Sequence, residues 1–158
     1  MIPLLRIADT LRRLVWRVFG PRTIGIRGLV VDGDGRVLLV RHSYGRPAWH
    51  LPGGGVKRRE ALRAALEREL REEVDVTITG SVRLLGTYSS LGEGKSDHIS
   101  VFVVEHWRRT TTAHEDAEIA ATGFFALDDL PEATSPGTRR RLAEWANGAN
   151  GNEASFDW

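Results

Sequence analysis

RELREEVD, residues 68 to 75, lies within a run of helical character, Leu62–Val74 (LRAALERELREEV), and poses a problem of charge. Glu69 stands three residues before Glu72 and four before Glu73. Like charges at those spacings face one another on a helix and cost about 0.2–0.5 kcal/mol per pair. At about 100° per residue, with Glu69 at zero, Glu72 lies about 60° to one side and Glu73 about 40° to the other. Leu62, Ala65 and Leu66 fall within about 60° of the same line, and Glu60, Glu67 and Arg71 fall on the opposite half. The three clustered glutamates thus continue the apolar stripe and are predicted to point toward the protein. Arg68 and Arg71 lie at the back or side, where Arg68–Glu72 and Glu67–Arg71 can pair four residues apart. A solvated, salt-bridged face accounts for Glu60, Glu67 and Arg71 but not for three inward acids. Buried carboxylates need a compensating charge. A cluster of oxygen ligands suits a hard divalent cation such as Mg²⁺ or Mn²⁺.

The segment before this helix strengthens that reading. HSYGRPAWHLPGGG is a long loop ending in Gly53, Gly54 and Gly55, and helix is expected from about Arg58 to Val74. Glycines let backbone approach a ligand closely and adopt positive φ. A glycine-rich turn at a helix N-terminus favours an anion. Next to an acidic helix, it makes an arrangement for phosphate and metal together.

Further out, TIGIRGLVV (Thr23 to Val31) and RVLLVR (Arg36 to Arg41) read as strands, with hairpin chemistry in the DGDG between them. VTIT (Val76 to Thr79), VRLLGTYSS, HISVFVVEHW and EIAATGFFAL (Glu118 to Leu127) read as further strands, and Pro136 to Ala146 as a closing helix with Ser135 as N-cap. Several connections are too short for a parallel crossover, so the fold expected is α/β in the α+β sense, a mixed sheet with helices against it. Ile7, Leu11, Leu14, Val15 and Val18 recur at helical spacing, which predicts a short N-terminal amphipathic helix over residues 4 to 19. Its basic face suits an acidic membrane surface. Packing on the domain or on a partner subunit is the preferred reading, and it leaves a homodimer open. The tail GANGNEASFDW is polar, but its Phe156 and Trp158 offer apolar rings for docking.

At 158 residues the chain is expected to hold one domain with a substantial core. The boundaries expected are 1–22 for the N-terminal helix, 23–148 for the domain and 149–158 for the tail. The formal net charge of +1 gives no electrostatic reason to expect a nucleic-acid polymer or a membrane as partner. There is no cysteine, which excludes disulfides and thiolate-bound metals. The first twenty residues lack a continuous apolar centre, so no secretory signal is read there and a cytoplasmic location is expected.

Gly54, Glu60, Arg68, Glu69, Leu70, Glu72, Glu73 and Val76 follow the spacing G-x5-E-x7-R-E-U-x-E-E-x-G-U, in which U is aliphatic. The chain thereby resembles the Nudix hydrolases, MutT-like, with WHLPGG similar to their usual lead-in and the likeness running over about Thr23 to Pro131. One position departs, Asp75 standing where the family has glycine. A left-handed residue is common where a helix ends, and Asp tolerates that conformation better than most.

The resemblance implies an α/β/α sandwich and hydrolysis of a nucleoside diphosphate linked to another group X, a small-molecule nucleotide substrate. It implies Mg²⁺ or Mn²⁺ held by Glu69, Glu72 and Glu73 with the Gly53 carbonyl, a charge-assisted role for Arg68 in orienting a glutamate, and Glu60 as a support for the loop and helix. EIAATGFFALDDLP is similar to the family's late strand, where an acid commonly stands six residues before an aromatic. Here that acid is Glu118, before Phe124, with Glu115 and Asp116 as substitutes. Glu69 or Glu118 is the expected general base. Arg27, Arg41, Tyr44 and Trp49 flank the expected cleft, where Tyr44 or Trp49 would stack on a base, an arginine would hold phosphate, and Gly54 would approach the substrate. The alternative is a Nudix-fold nucleotide sensor without catalysis. Such modules typically lose acids from the motif, and none is lost here.

Overall fold

A computed structural model describes residues 22–43, 47–90, 96–110, 118–149 and Trp158. The predicted N-terminal helix, Tyr44, Glu115, Asp116 and Phe156 lie outside the described residues. Among the described residues eight strands and two helices follow in chain order: β1 (Arg22–Val30), β2 (Val37–His42), β3 (Trp49–His50), α1 (Leu62–Val74), β4 (Val76–Ile78), β5 (Arg83–Ser90), β6 (Ser96–Val104), β7 (Trp107–Arg109), β8 (Ile119–Phe125) and α2 (Pro136–Ala146).

The strands form the orders β1-β6-β5, β3-β2-β8 and β4-β7. Among the described strands only β1 and β6 run parallel, so the sheet is mixed as expected. Asp32 closes the β1–β2 hairpin, its Oδ1 accepting from the amides of Asp34 and Arg36. Val31 bridges Val37 beyond it.

β1 and β2 are nearly continuous apolar runs because both their faces are covered. Ile26, Val30, Leu38 and Val40 pack with Ala65, Leu66 and Leu70 of α1. The alternate residues Leu29, Val31, Val37 and Leu39 pack with Leu142 of α2. The two helices thus lie on opposite sides of these strands, the α/β/α arrangement. Ser135 caps α2, accepting from the Thr138 amide. Trp158 docks on the α2 side, its amide donating to the Ser89 carbonyl and its ring lying edge-on to Tyr88 at 6.3 Å. Among the described residues no helix is long and apolar enough to cross a membrane.

Two expectations are corrected. HISVFVVEHW is two strands, β6 and β7, broken at the exposed pair Glu105-His106. The Thr79 amide takes the His106 carbonyl, and the chain leaves β5 to pair with β4. The glutamate helix starts at Leu62 instead of about Arg58. Arg59 has φ 61°, and the Lys57 amide donates to Glu60 Oε2 at 2.7 Å. Glu60 is thereby held in a turn that could not continue the helix.

Candidate active site

The loop after β3 is built as an extra edge beside β1. Gly28 N donates to Pro52 O, Ile26 N to Gly54 O, and Val56 N to Ile24 O, each within 2.9 Å. Gly53 makes this close pass, with φ 134°. A Cβ there would stand 2.3 Å from the Ile26 carbonyl oxygen. Gly54 has a different neighbour, since a Cβ on it would stand 2.6 Å from Glu69 Oε1. The loop and α1 therefore meet at glycine backbone and carboxylate.

Glu73 Oε2 accepts the Gly53 amide at 2.7 Å. Arg68 ties the rest together. Its Nε and Nη2 form a fork on Glu60 at 2.8 and 3.0 Å, Nη1 reaches Glu69 at 2.6 Å and Glu72 at 3.3 Å, and Nη2 reaches the Gly55 carbonyl at 3.1 Å. Arg68, Glu60 and Glu69 are largely buried side chains, whereas Glu72 is 54% exposed. The helical wheel turns all three clustered glutamates inward, and the structure turns only part of that face inward. The stripe that α1 buries is Ala65, Leu66, Leu70 and Val74. Its centre lies toward Glu73, so Glu69 sits on the shoulder, and Glu72 and Leu62 face outward. Arg68–Glu72 pairs as expected, but Glu67 takes Arg63, at 2.7 Å.

Among the described residues no three His, Asp or Glu side chains close into a ready metal cage. The donor set nevertheless suits a hard divalent cation. Glu60, Glu69 and Glu72 share one guanidinium. Glu69 is pressed onto Gly54, and Glu73 adds a further carboxylate on the Gly53 amide. Negative charge in excess of the local cation, presented by oxygen ligands beside bare backbone, is what such an ion takes.

The Glu60 carboxyl is held at about 2 instead of 4.5, first by the Arg68 hydrogen bonds and then by the Lys57 amide. Arg68 is correspondingly held as a cation, chiefly by Glu60 and then Glu69. A depressed carboxyl contributes stability that is fully present above its unfolded pKa and is lost as pH falls through its folded one. Wild-type stability should therefore fall between pH 4.5 and about 2. Glu60→Gln should flatten that part of the melting-temperature profile, and an unchanged slope would mean that other carboxylates govern it.

Asp75 ends α1 in the left-handed region, φ 53° and ψ 36°, its amide reaching the Leu70 carbonyl. Its Oδ1 is buried without a hydrogen-bond partner among the described residues. Glycine relieves both costs. Asp75→Gly should raise the melting temperature by about 3 °C, the equivalent of about 1 kcal/mol for a chain of this size. A lower melting temperature would reveal a specific contact made by the carboxylate.

The other expected site residues are divided between places. Glu118 is exposed and precedes β8, its carbonyl accepting from the Ser43 amide at 2.8 Å, at the end of β2. Arg41 lies over the Trp49 ring at 5.5 Å, and Trp49 meets Phe125 edge-on at 5.0 Å. Trp49 thus packs against the α2-side core, on the other face of β2 and β3 from α1. The Arg27 Cα would lie 3.0 Å from a Cβ on Gly53, which puts β1 against the loop at that point.

A family model for the NUDIX domain matches residues 21–146. The chain belongs to the Nudix family and has the fold of its MutT-like members. It is similar to a MutT NUDIX hydrolase from Burkholderia pseudomallei, 28% identical with TM-score 0.69, over 78% of this chain and 98% of that one. It is also similar to an ADP-ribose pyrophosphatase of Methanocaldococcus jannaschii, 27% identical over 84% of this chain and 80% of that protein. A shorter likeness, 50% identical, joins it to an RNA pyrophosphohydrolase of Teredinibacter turnerae and spans 29% of this chain and 27% of that protein. The chain thus covers about a quarter of that relative, and about a third of a second RNA pyrophosphohydrolase, from Halorhodospira halophila.

Proposed function

We propose that the chain is a Nudix pyrophosphohydrolase, a metal-dependent hydrolase that cleaves the diphosphate linkage of a nucleoside diphosphate joined to another group X. The observation that carries this is the meeting of Glu69 and Glu73 with Gly53 and Gly54, with Arg68 braced on Glu60 behind them. Glu69, Glu72, Glu73 and the Gly53 carbonyl would hold Mg²⁺ or Mn²⁺, which when bound would neutralise the diphosphate and acidify the attacking water. Arg68 acts as a positioning residue, its charge-assisted bond aiming the Glu69 carboxylate. Water adds to one phosphorus, the bridging P–O bond breaks, and a nucleoside monophosphate and phosphoryl-X leave. Glu69 or Glu118 takes the proton of the water.

The likeness to an ADP-ribose pyrophosphatase runs along most of both chains, which favours a small nucleotide conjugate over an RNA end. The complete set of motif acids favours catalysis over a nucleotide sensor. Screening ADP-ribose, CTP, nucleotide sugars and dinucleoside polyphosphates with Mg²⁺ and with Mn²⁺ tests the reading. Release of a nucleoside monophosphate that stops in chelator is the expected result. Binding without turnover across the whole panel would favour the sensor.

Glu118→Gln distinguishes the two bases. Should Glu118 accept the proton, kcat falls by about 10²-fold or more while KM moves little. Wild-type kcat in that variant would assign the role to Glu69.

A further inference from the structure

Trp158 touches two elements that are distant from it in the chain. Its amide donates to the Ser89 carbonyl of β5 at 3.0 Å. Its ring lies against the first turn of α2, where a Cβ added to Gly137 would stand 2.9 Å from Nε1 and 3.0 Å from Cε2. A side chain at position 137 would therefore meet the indole. Glycine is a poor helix former and alanine the best, so local propensity does not ask for glycine there. The indole fills the space that the missing Cβ leaves.

One turn further along the same helix face stands Arg141, fully buried. Its guanidinium lies 3.8 Å from the centroid of the Tyr88 ring and 5.8 Å from that of the Trp158 ring, both within reach of a cation–π attraction. Its Nη2 donates to Glu144 Oε1 at 2.6 Å, and the Tyr88 hydroxyl donates to Glu144 Oε2 at 2.8 Å. The Tyr88 and Trp158 rings meet edge-on at 62°. A buried charge is tolerated where it is paired and hydrogen-bonded. Here one carboxylate pairs it and two aromatic rings cover it.

We infer that Tyr88, Gly137 and Arg141 form an indole-binding slot, and that Trp158 fills it as a latch fastening α2 to β5. The slot suits an indole in three respects. Gly137 gives it depth, Arg141 attracts the negative face of the ring, and Ser89 takes the amide of the residue that carries the ring. The latch belongs to the α2-side core with Tyr88 and Leu142, whereas the acids of the hydrolytic site stand on α1. It is independent of the hydrolase reading.

Melting temperatures of the full chain and its variants make the test. Trp158→Ala should melt about 6 °C below wild type, the shift expected for removing a half-buried large ring. Gly137→Ala should lower the wild type by about 3 °C, because its Cβ forces the indole from the slot. In the Trp158→Ala background the same change should be neutral or slightly stabilising, since the slot is then empty and only helix propensity acts. Free indole at millimolar concentration should raise the melting temperature of Trp158→Ala by about 2 °C and leave the filled wild type unraised. Trp158→Ala melting within about a degree of wild type would overturn the latch. So would Gly137→Ala acting equally in both backgrounds, or indole that fails to raise the Trp158→Ala protein. A loss of kcat at unchanged melting temperature would also overturn it, by placing Trp158 in the hydrolytic site. If Trp158→Ala does not fold, Trp158→Phe replaces it in the Gly137 comparison, where its smaller ring should ease the cost of Gly137→Ala.

Discussion

Glu73→Gln should lose about a hundredfold or more in rate while melting near the wild-type temperature. The amide Oε1 of glutamine still accepts the Gly53 N–H, which Glu73 takes at 2.7 Å, so the loop keeps its place against α1. What disappears is one negative charge beside the Gly53–Gly54 backbone. A hundredfold corresponds to about 2.7 kcal/mol of transition-state stabilisation, in the range expected for losing a ligand charge from a divalent-ion site. Steady-state rates in Mg²⁺ and Mn²⁺, alongside thermal melts, make the measurement. Wild-type turnover by the variant would remove Glu73 from the machinery. A collapsed melting temperature with little loss in rate per folded molecule would reduce it to a brace for the loop.

Gly53→Ala should damage stability and activity together. The residue sits at φ 134°, and its new Cβ would stand 2.3 Å from the Ile26 carbonyl oxygen and 3.0 Å from Arg27 Cα. Both neighbours are backbone of β1 and cannot swing aside as a side chain would. Strained φ and overpacking together should cost about 3 kcal/mol or more, close to 10 °C in melting temperature for a chain of this length. The loop would have to leave β1, carrying away the amide that holds Glu73 and the backbone beneath Glu69, so activity should fall as well. Gly55→Ala is the control, because nothing lies within 4 Å of a Cβ there. A Gly53→Ala protein that melts within about a degree of wild type, and turns over normally, would show that the loop has room the geometry denies it.

Several features of this molecule were legible because local chemistry dictates them. The DGDG turn closes as its Asp32 requires, with the side chain accepting from the amides of Asp34 and Arg36. Ser135 with Pro136 starts α2 where capping chemistry puts it. Asp75 ends α1 in the left-handed region. The runs TIGIRGLVV and RVLLVR read as strands, and the structure covers both faces of β1 and β2. The glutamate face was only partly legible. A helical wheel orders residues about an axis, but it cannot tell how far the core extends around it. Leu70 and Val74 pull the buried stripe past Glu73, which leaves Glu72 outside. The helix starts at Leu62 instead of about Arg58 for a related reason, the place that Glu60 takes in the turn before it. A sequence window does not reveal that its carboxylate is committed to Arg68, eight residues away, and to the Lys57 amide.

The chain's order of residues by itself determined the family motif, the acids and glycines it contains, and the mixed α/β class, since spacing, turn chemistry and periodicity are local properties. Only the tertiary structure decided that Arg41 and Trp49 pair on the α2 side of the sheet while Val40, one residue before Arg41, packs under α1. Adjacent positions on a strand point to opposite faces, and which face meets which helix depends on how strands distant in sequence pair. It also decided which contacts Arg68 makes. The physical reason is that a guanidinium has five donors in a fixed fork, and the fold chooses which of the carboxylates around it, at 60, 69 and 72, come within reach.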